Sequence, residues 1–335
     1  MPSEFIHAQH AAQLSFLQGY LDQRGWATEF LERGGDLPLN LLSVAAPRDP
    51  NGRERKITFA YVPLDDEDLD HIALLQFFSP LPIKLNLEYT RELDALLNVV
   101  NPGLAIGNFG HKDNEIFMRH IYTTPQTEMI DEEMFIESVL LFFSLQSATS
   151  PAIEAVATGK QTVVQALKQL QLVSENAPQR PKSSSETPLL DHAKAYFKKA
   201  GWEYEPVLNS AITAVFGGQN ESYRCYIQAR EADHQFIFYS VCPIKAPEDK
   251  FGDIMHFMTR ANYGMYLGNF ELDLDDGEIR FKTSIAFGEE TVSDALIAPI
   301  IFPNVIAMDG YFPAIRAIIE EDADVEDVIT KTENS

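Results

Sequence analysis

A chain of 335 residues that is 45% hydrophobic holds enough apolar material for two cores and is too apolar for global disorder. Its formal net charge of -24 argues against nucleic acid or an anionic membrane surface as a main ligand, since these need clustered lysine and arginine. The two cysteines, Cys225 and Cys242, lack metal-binding spacing and suit free thiols in a reducing cytosol.

Along the chain, MPSEFIHAQHAAQL shows no basic stretch leading into an apolar run, so no signal peptide is expected. No stretch reaches about 18 uncharged apolar residues, so no membrane span is expected either. His7 and His10 lie three apart without a third ligand in view, which reads as a surface pair. RGWATEF at 24–30 ends a helical pattern. PRDPNGRERK at 47–56 and LDDEDLDH at 64–71 read as long polar connections, and the acidic run at 65–70 as a solvated loop rather than a metal site. Leu93, Leu96, Leu97 and Val100 form one apolar face of a helix. NPGLAIGNFG follows at 101–110. DEEMFIESVLLFFSL at 131–145 is apolar nearly all round, so this helix needs burial on several sides.

The second half repeats the first. AGWEYEP at 200–206 matches RGWATEF at an offset of 176. LPIK at 81–84 matches CPIK at 242–245 at 161, and Ile254, Phe257, Met258 and Ala261 match the leucine face at the same offset. NYGMYLGNFE at 262–271 matches NPGLAIGNFG, and Arg280 matches Arg119, again at 161. Pro151 to Ile153 match Pro313 to Ile315 at 162. So many shared offsets indicate a duplicated domain. The first copy is longer by 15 residues before Leu81, placed by this reading in the two polar connections. SENAPQRPKSSSET has linker composition. The domains are therefore 1–173 and 188–330, with a flexible linker at 174–187.

In the second copy TPLLDHAKAYFKKAGW reads as a helix, with Thr187 as N-cap, Pro188 first and Gly201 as stop. SAITAVF, YRCYIQA and HQFIFYSVCPI read as three strands, FGDIMHFMTRA as a helix, and residues 264–287 as a hairpin with Asp-Asp-Gly at its tip. Two helices close the copy near 290–308 and 313–328, and Pro299 and Pro303 are expected to bend or break the first. The expected class is α+β, two tandem repeats of order α-β-β-β-α-β-β-α-α with antiparallel sheets.

The helix ending in Gly-Trp, the strands, the second helix and the G-N-F…R hairpin resemble the YbjN domain in both copies. That resemblance implies the fold of type III secretion chaperones and a chaperone-like or regulatory role without a known reaction. It also implies pairing of domains, here as a pseudo-dimer of the two repeats within one chain.

No phosphate loop is expected, because a helix precedes G-x-x-x-G-N-F and the glycines fall in a strand. DLDDGE at 273–278 has the wrong spacing for a calcium loop and reads as a hairpin tip. No histidine recurs between the copies, and the cysteines read as buried apolar residues. No catalytic set, metal or cofactor is expected. The candidate surface is one face of the hairpin in each copy, where side chains alternate. It carries Leu104, Ile106, Asn108, Phe117 and Arg119 in the first, and Met265, Leu267, Asn269 and Arg280 in the second. Two readings stand for this face: a second core covered by the terminal helices, or a surface for a partner segment or the other repeat, where an Asn and an Arg could hold the backbone of an extended peptide. The expected function is a cytoplasmic, non-enzymatic module holding a protein partner, chaperone-like or regulatory. A small-ligand sensor and an enzyme of unfamiliar type are the alternatives.

Overall fold

The computed structural model describes residues 3–35, 37–46, 48–49, 52–63, 72–112, 114–126, 129–175, 188–207, 211–231, 235–286 and 294–333. The chain folds into two units, Met1–Leu97 with Gly103–Glu175, and Asn98–Pro102 with Asn176–Ser335. The expected linker lies outside the described residues apart from Ser174 and Glu175, which end a helix.

The first unit runs α1 (Glu4–Gln23), β1 (Ala27–Leu31), β2 (Leu41–Ala46), β3 (Arg55–Tyr61), β4 (Ile72–Lys84), α2 (Thr90–Val100), β5 (Asn108–Lys112), β6 (Glu115–Pro125), α3 (Glu132–Ala157) and α4 (Val163–Glu175). The second runs α5 (Pro188–Ala200), β7 (Glu205–Val207), β8 (Ala211–Gly217), β9 (Ser222–Arg230), β10 (Gln235–Val241), α6 (Phe251–Gly264), β11 (Asn269–Leu272), β12 (Ile279–Ala286), α7 (Asp294–Glu320) and α8 (Val325–Glu333). Each has a six-stranded antiparallel sheet, ordered β1-β2-β3-β4-β6-β5 and β7-β8-β9-β10-β12-β11. The class is α+β, as expected, but four strands rather than three precede the middle helix. The extra ones, β1 and β7, are short and carry charge and proline, so they give little strand signal.

Registers show where the first unit is longer. Its offset to the second falls from 176 at β1 to 170 at β2, 168 at β3 and 161 at β4, each fixed by the strand pairing. The 15 extra residues thus lie in three connections, the two expected and a third between β1 and β2.

Helices α1 and α5 both stop at a left-handed glycine, Gly25 (φ 76°) and Gly201 (φ 73°). The next N–H reaches back, from Trp26 to Leu21 O at 3.2 Å and from Trp202 to Phe197 O at 2.9 Å. Helix α5 starts at Pro188 as expected; Thr187 lies outside the described residues. Its first N–H groups donate instead to the Glu231 carboxylate, from Leu189 and Leu190 at 3.1 Å each.

The core of the first unit centres on Phe59, Phe77, Phe135 and Phe142, all fully buried and in ring contact. Each contributes about 1.5–3 kcal/mol by leaving water. By composition α3 is long and apolar enough to cross a membrane, but Phe135, Val139, Phe142 and Ile153 spend that apolar character on this interior. The core of the second unit lies among α5, α6, α7 and α8 and one face of its sheet.

The two closing helices expected in the second copy are one, α7, followed by α8. Pro299, Pro303 and Pro313 all lie within α7. A helical proline removes a hydrogen bond to the carbonyl four residues back. For Pro313 that carbonyl is Asp309 O, and the Asn220 side chain donates to it at 2.9 Å. Buried Ile297, Ile300, Ile301, Met308, Phe312 and Ile315 hold the rest of the helix against the sheet.

Candidate functional site

The repeated G-x-x-x-G-N-F segment is a strand entry in both units. Gly107 (φ 70°) and Gly268 (φ 81°) take a backbone conformation that side chains disfavour. A Cβ on Gly107 would sit 2.6 Å from Arg119 O, and one on Gly268 2.6 Å from Lys282 O. The first Asn of the motif also serves the fold in the second unit. Asn262 at the end of α6 accepts from Phe270 N at 2.6 Å and donates to Phe270 O at 3.2 Å, clasping the edge strand β11.

The extended run expected from residue 104 does not form. Leu104 and Ile106 precede β5, and Met265 and Leu267 precede β11, because the left-handed glycine turns the chain just before each strand. Gly264 closes α6 and Tyr266, 53% exposed, lies before β11, so the hairpin expected from residue 264 starts at Asn269. Asn108, Phe117 and Arg119 do share a face, with Asn108 opposite Arg119 and Phe117 stacked on Phe78. In the second unit Asn269 is opposite Lys282, and Arg280 is opposite Glu271.

That pairing corrects the match between Arg119 and Arg280. The β5–β6 hairpin turns between Lys112 and Glu115, whereas Leu272 and Ile279 bracket a turn two register steps longer. Arg119 is therefore equivalent to Lys282, at an offset of 163. The next strand agrees, since Phe78 faces Arg119 and Tyr239 faces Lys282. The glycine contacts agree as well.

The candidate residues are not an exposed face. Leu104, Ile106, Asn108, Phe117, Arg119, Met265 and Asn269 are buried, and Leu267 and Arg280 half-buried. In the second unit Asn269 and Arg280, with Lys282, converge on Glu271, which is 1% exposed. Arg280 Nε donates to it at 2.9 Å, Lys282 Nζ lies at 3.4 Å and Asn269 Nδ2 at 3.4 Å. The Arg280 guanidinium also lies over the Tyr239 ring, 4.9 Å from its centroid. Burial pulls the Lys282 ammonium below the ordinary lysine range against the attraction of Glu271. For Arg280 burial opposes the charge, but Glu271 more than offsets it and holds the pKa up. The carboxylate is committed to its own sheet, which suits a structural network more than a reactive acid.

DLDDGE is the β11–β12 turn, closed by Asp273 N to Glu278 O at 2.8 Å, with Asp276 paired to Lys245. No group of metal-ligating side chains occurs among the described residues. The acidic run 65–70 lies outside them. His10 stacks on Tyr61 at 4.2 Å, an aromatic contact rather than a free surface pair with His7. Burial pushes the Cys242 thiol up to about 12 and the Cys225 thiol higher still, which disfavours the nucleophilic thiolate.

Sequence reasoning missed two features. Asp309 of α7 grips the β8–β9 turn, accepting from Gln219 N at 2.8 Å, Asn220 N at 3.0 Å and Tyr223 OH at 2.8 Å. Burial alone would raise its pKa, but these donors outweigh it and hold the carboxyl below its ordinary value. The second is a cleft of about 1070 Å³ between the end of α5 and the β7–β8 edge. Trp202, Tyr204, Ala214 and Phe216 supply its apolar part, and Lys198, Arg224, Glu203 and Glu205 its charges. Trp202 contacts Phe216 at 5.1 Å and Phe302 at 5.6 Å between ring centroids. The available signal is Gly-Trp followed by alternating Glu and aromatic residues, which by itself reads as no more than a helix end.

Residues 190–317 match the family model YbjN, described as "Putative bacterial sensory transduction regulator". The match runs from α5 into α7, covers the second unit alone, and supports a regulatory or binding module in general terms. No curated protein matches the chain. One solved structure, "Crystal structure of the di-domain ARO/CYC StfQ from the steffimycin biosynthetic pathway", aligns over 96% of this chain and 93% of its own. Its identity is 8% and its TM-score 0.15, too low to carry an argument.

Proposed function

We propose that the protein is a non-enzymatic regulatory module of two tandem YbjN-like domains that works by holding a protein partner. The observation that carries this reading is the aromatic cleft, an accessible binding feature on the unit that matches the regulatory family. The hairpin-face residues proposed from sequence are too buried to serve first contact, so the partner is assigned to the cleft. The tandem reading rests on shared sequence offsets and on the matching strand order of the two units. Pairing of the repeats as an intramolecular pseudo-dimer, and a cytoplasmic setting with free thiols, belong to the same proposal.

Affinity capture with the full chain from its native host, followed by quantitative mass spectrometry, tests it. A protein recovered in near-stoichiometric amount is expected, and its absence at every salt concentration contradicts the reading.

The family description favours a second reading, a sensor of a small ligand. The cleft is large enough for one. A metabolite that raises the melting temperature in a thermal-shift screen, and loses that effect in Trp202→Ala, would select this reading instead.

A further inference from the structure

The sheet edge beside the cleft is closed in the first unit and open in the second. In the first, β1 pairs with β2 over five positions, including Ala27 with Ala45 and Thr28 with Val44. The counterparts of Ala27 and Thr28 are Glu203 and Tyr204, and those of Ala45 and Val44 are Val215 and Ala214. In the second unit, among the described residues, β7 pairs over Glu205–Val207 alone, against Ala211–Thr213. Glu203 and Tyr204 leave the sheet and become cleft wall, so among the described residues β8 from Ala214 to Gly217 pairs on one side only.

The direction of the spare groups follows from the turn. Gly218 N donates to Glu221 O at 2.7 Å. Antiparallel alternation then aims the N–H and C=O of Phe216 and Ala214 at β9, and those of Val215 and Gly217 at the open side. Neither residue has a hydrogen-bond partner there among the described residues. The two sets of groups are about 6.7 Å apart, the repeat of a strand. We propose that this edge takes an extended, uncharged peptide segment of a partner protein as an added strand, with apolar side chains at alternate positions entering the cleft.

The chemistry of the segment follows from the lining. Trp202, Tyr204, Ala214 and Phe216 offer apolar contact along one side. Lys198 and Arg224 balance Glu203 and Glu205, and all four are exposed, so the groove selects backbone and apolar side chains rather than charge. Val215, 67% exposed, leaves the edge sterically clear. Pro206 sits within β7 and cannot donate, so the sheet grows at β8 and not beyond β7.

The inference rests on the partner-binding reading, and its test separates the two. Random dodecapeptides displayed on phage are selected on the immobilised full chain. An enriched peptide is then synthesised plain and with N-methyl groups on each alternate set of residues. The expected result is enrichment of uncharged peptides with apolar residues at alternate positions. Binding should weaken at least tenfold in Val215→Pro, which blocks the outward N–H and leaves the β8–β9 hydrogen bonds their donors, and by N-methylation of one alternate set but not the other. No enrichment, or binding that survives both changes, overturns the proposal. So does a concentration-dependent dimer of the chain that Val215→Pro abolishes, because the edge would then serve self-association. The N-methyl comparison uses the unaltered protein and stands even where the proline variant misfolds. If host partners captured by the full chain persist in Val215→Pro, partner binding survives and only the edge assignment fails.

Discussion

The long helix α3 of the first unit places Phe142, Gln146 and Ser147 where α7 of the second places Asn304, Met308 and Asp309. Phe142 joins an aromatic cluster. Asn304 is fully buried and donates from Nδ2 to Phe238 O at 3.2 Å, Phe281 O at 3.0 Å and Thr283 Oγ1 at 3.1 Å. Gln146, equivalent to Met308, satisfies the buried Ser79 hydroxyl at 2.9 Å, whereas the equivalent Ser240 hydroxyl has no partner among the described residues. Ser147 accepts from Arg55 at 2.7 Å, where Asp309 instead receives the donors of a turn. One backbone plan thus holds two different interiors. What stays the same is what the backbone requires, the left-handed glycines and the helix-end tryptophan. What differs is the side-chain chemistry that ties sheet to helix.

The largest expected effect comes from breaking the anion clasp. Asp309→Ala leaves Tyr223 OH and the turn N–H groups without their acceptor and should destabilise the second unit by about 3 kcal/mol, read by urea unfolding. Because the donors depress the Asp309 pKa, its contribution is present above the unfolded value of about 3.9 and is lost as pH falls through the lower folded value. Asp309→Ala should therefore narrow the stability gap to the native chain only below about pH 4.

Gly107→Ala and Gly268→Ala probe what the units share. Each meets a left-handed backbone and a carbonyl oxygen at 2.6 Å, so each should cost about 2 kcal/mol, in the first and second unit respectively. Unequal losses would show that the motif is structural in only one unit.

Acid separates the units again. Burial depresses His10 and His120, both of the first unit, to about 4. Between that value and about 6.5 the unfolded chain binds more protons, so the stability of the first unit should fall as pH drops through this window. Melting curves at pH 7.5 and pH 5 should differ less in His120→Phe than in the native chain.

The smallest contrast is between equivalent serines. Ser79→Ala strands Gln146 and should cost about 1 kcal/mol, while Ser240→Ala removes an unpaired buried hydroxyl and should be neutral or slightly stabilising.

Much of this plan is legible in the sequence. Gly-Trp marks two helix ends, and the common offset locates matching elements in both units. What escapes does so for physical reasons. Strands β1 and β7 are short and interrupted by Glu29 and by Glu205 and Pro206, so no clear alternation marks them and their pairing depends on the strand beside them. The match of Arg119 with Arg280 misleads because a turn longer by two register steps preserves residue type while shifting the partner. Pro299 and Pro303 predict a break because local propensity cannot see Ile297, Ile300 and Ile301 buried against the sheet, nor, for Pro313, Asn220 meeting Asp309 O. The cleft is invisible because it forms where a strand fails to continue, and an absent pairing leaves no periodic signal.

Amide hydrogen exchange on the full chain, resolved by residue, tests the open edge most directly. Fast exchange is expected at Val215 and Gly217 beside slow exchange at Ala45, the counterpart of Val215 within the closed edge. Adding the captured partner should slow Val215 and Gly217 and leave Ala45 unchanged. Exchange at Val215 as slow as at Ala45 in the free chain, or a bound partner that leaves Val215 fast, would contradict an open, partner-binding edge.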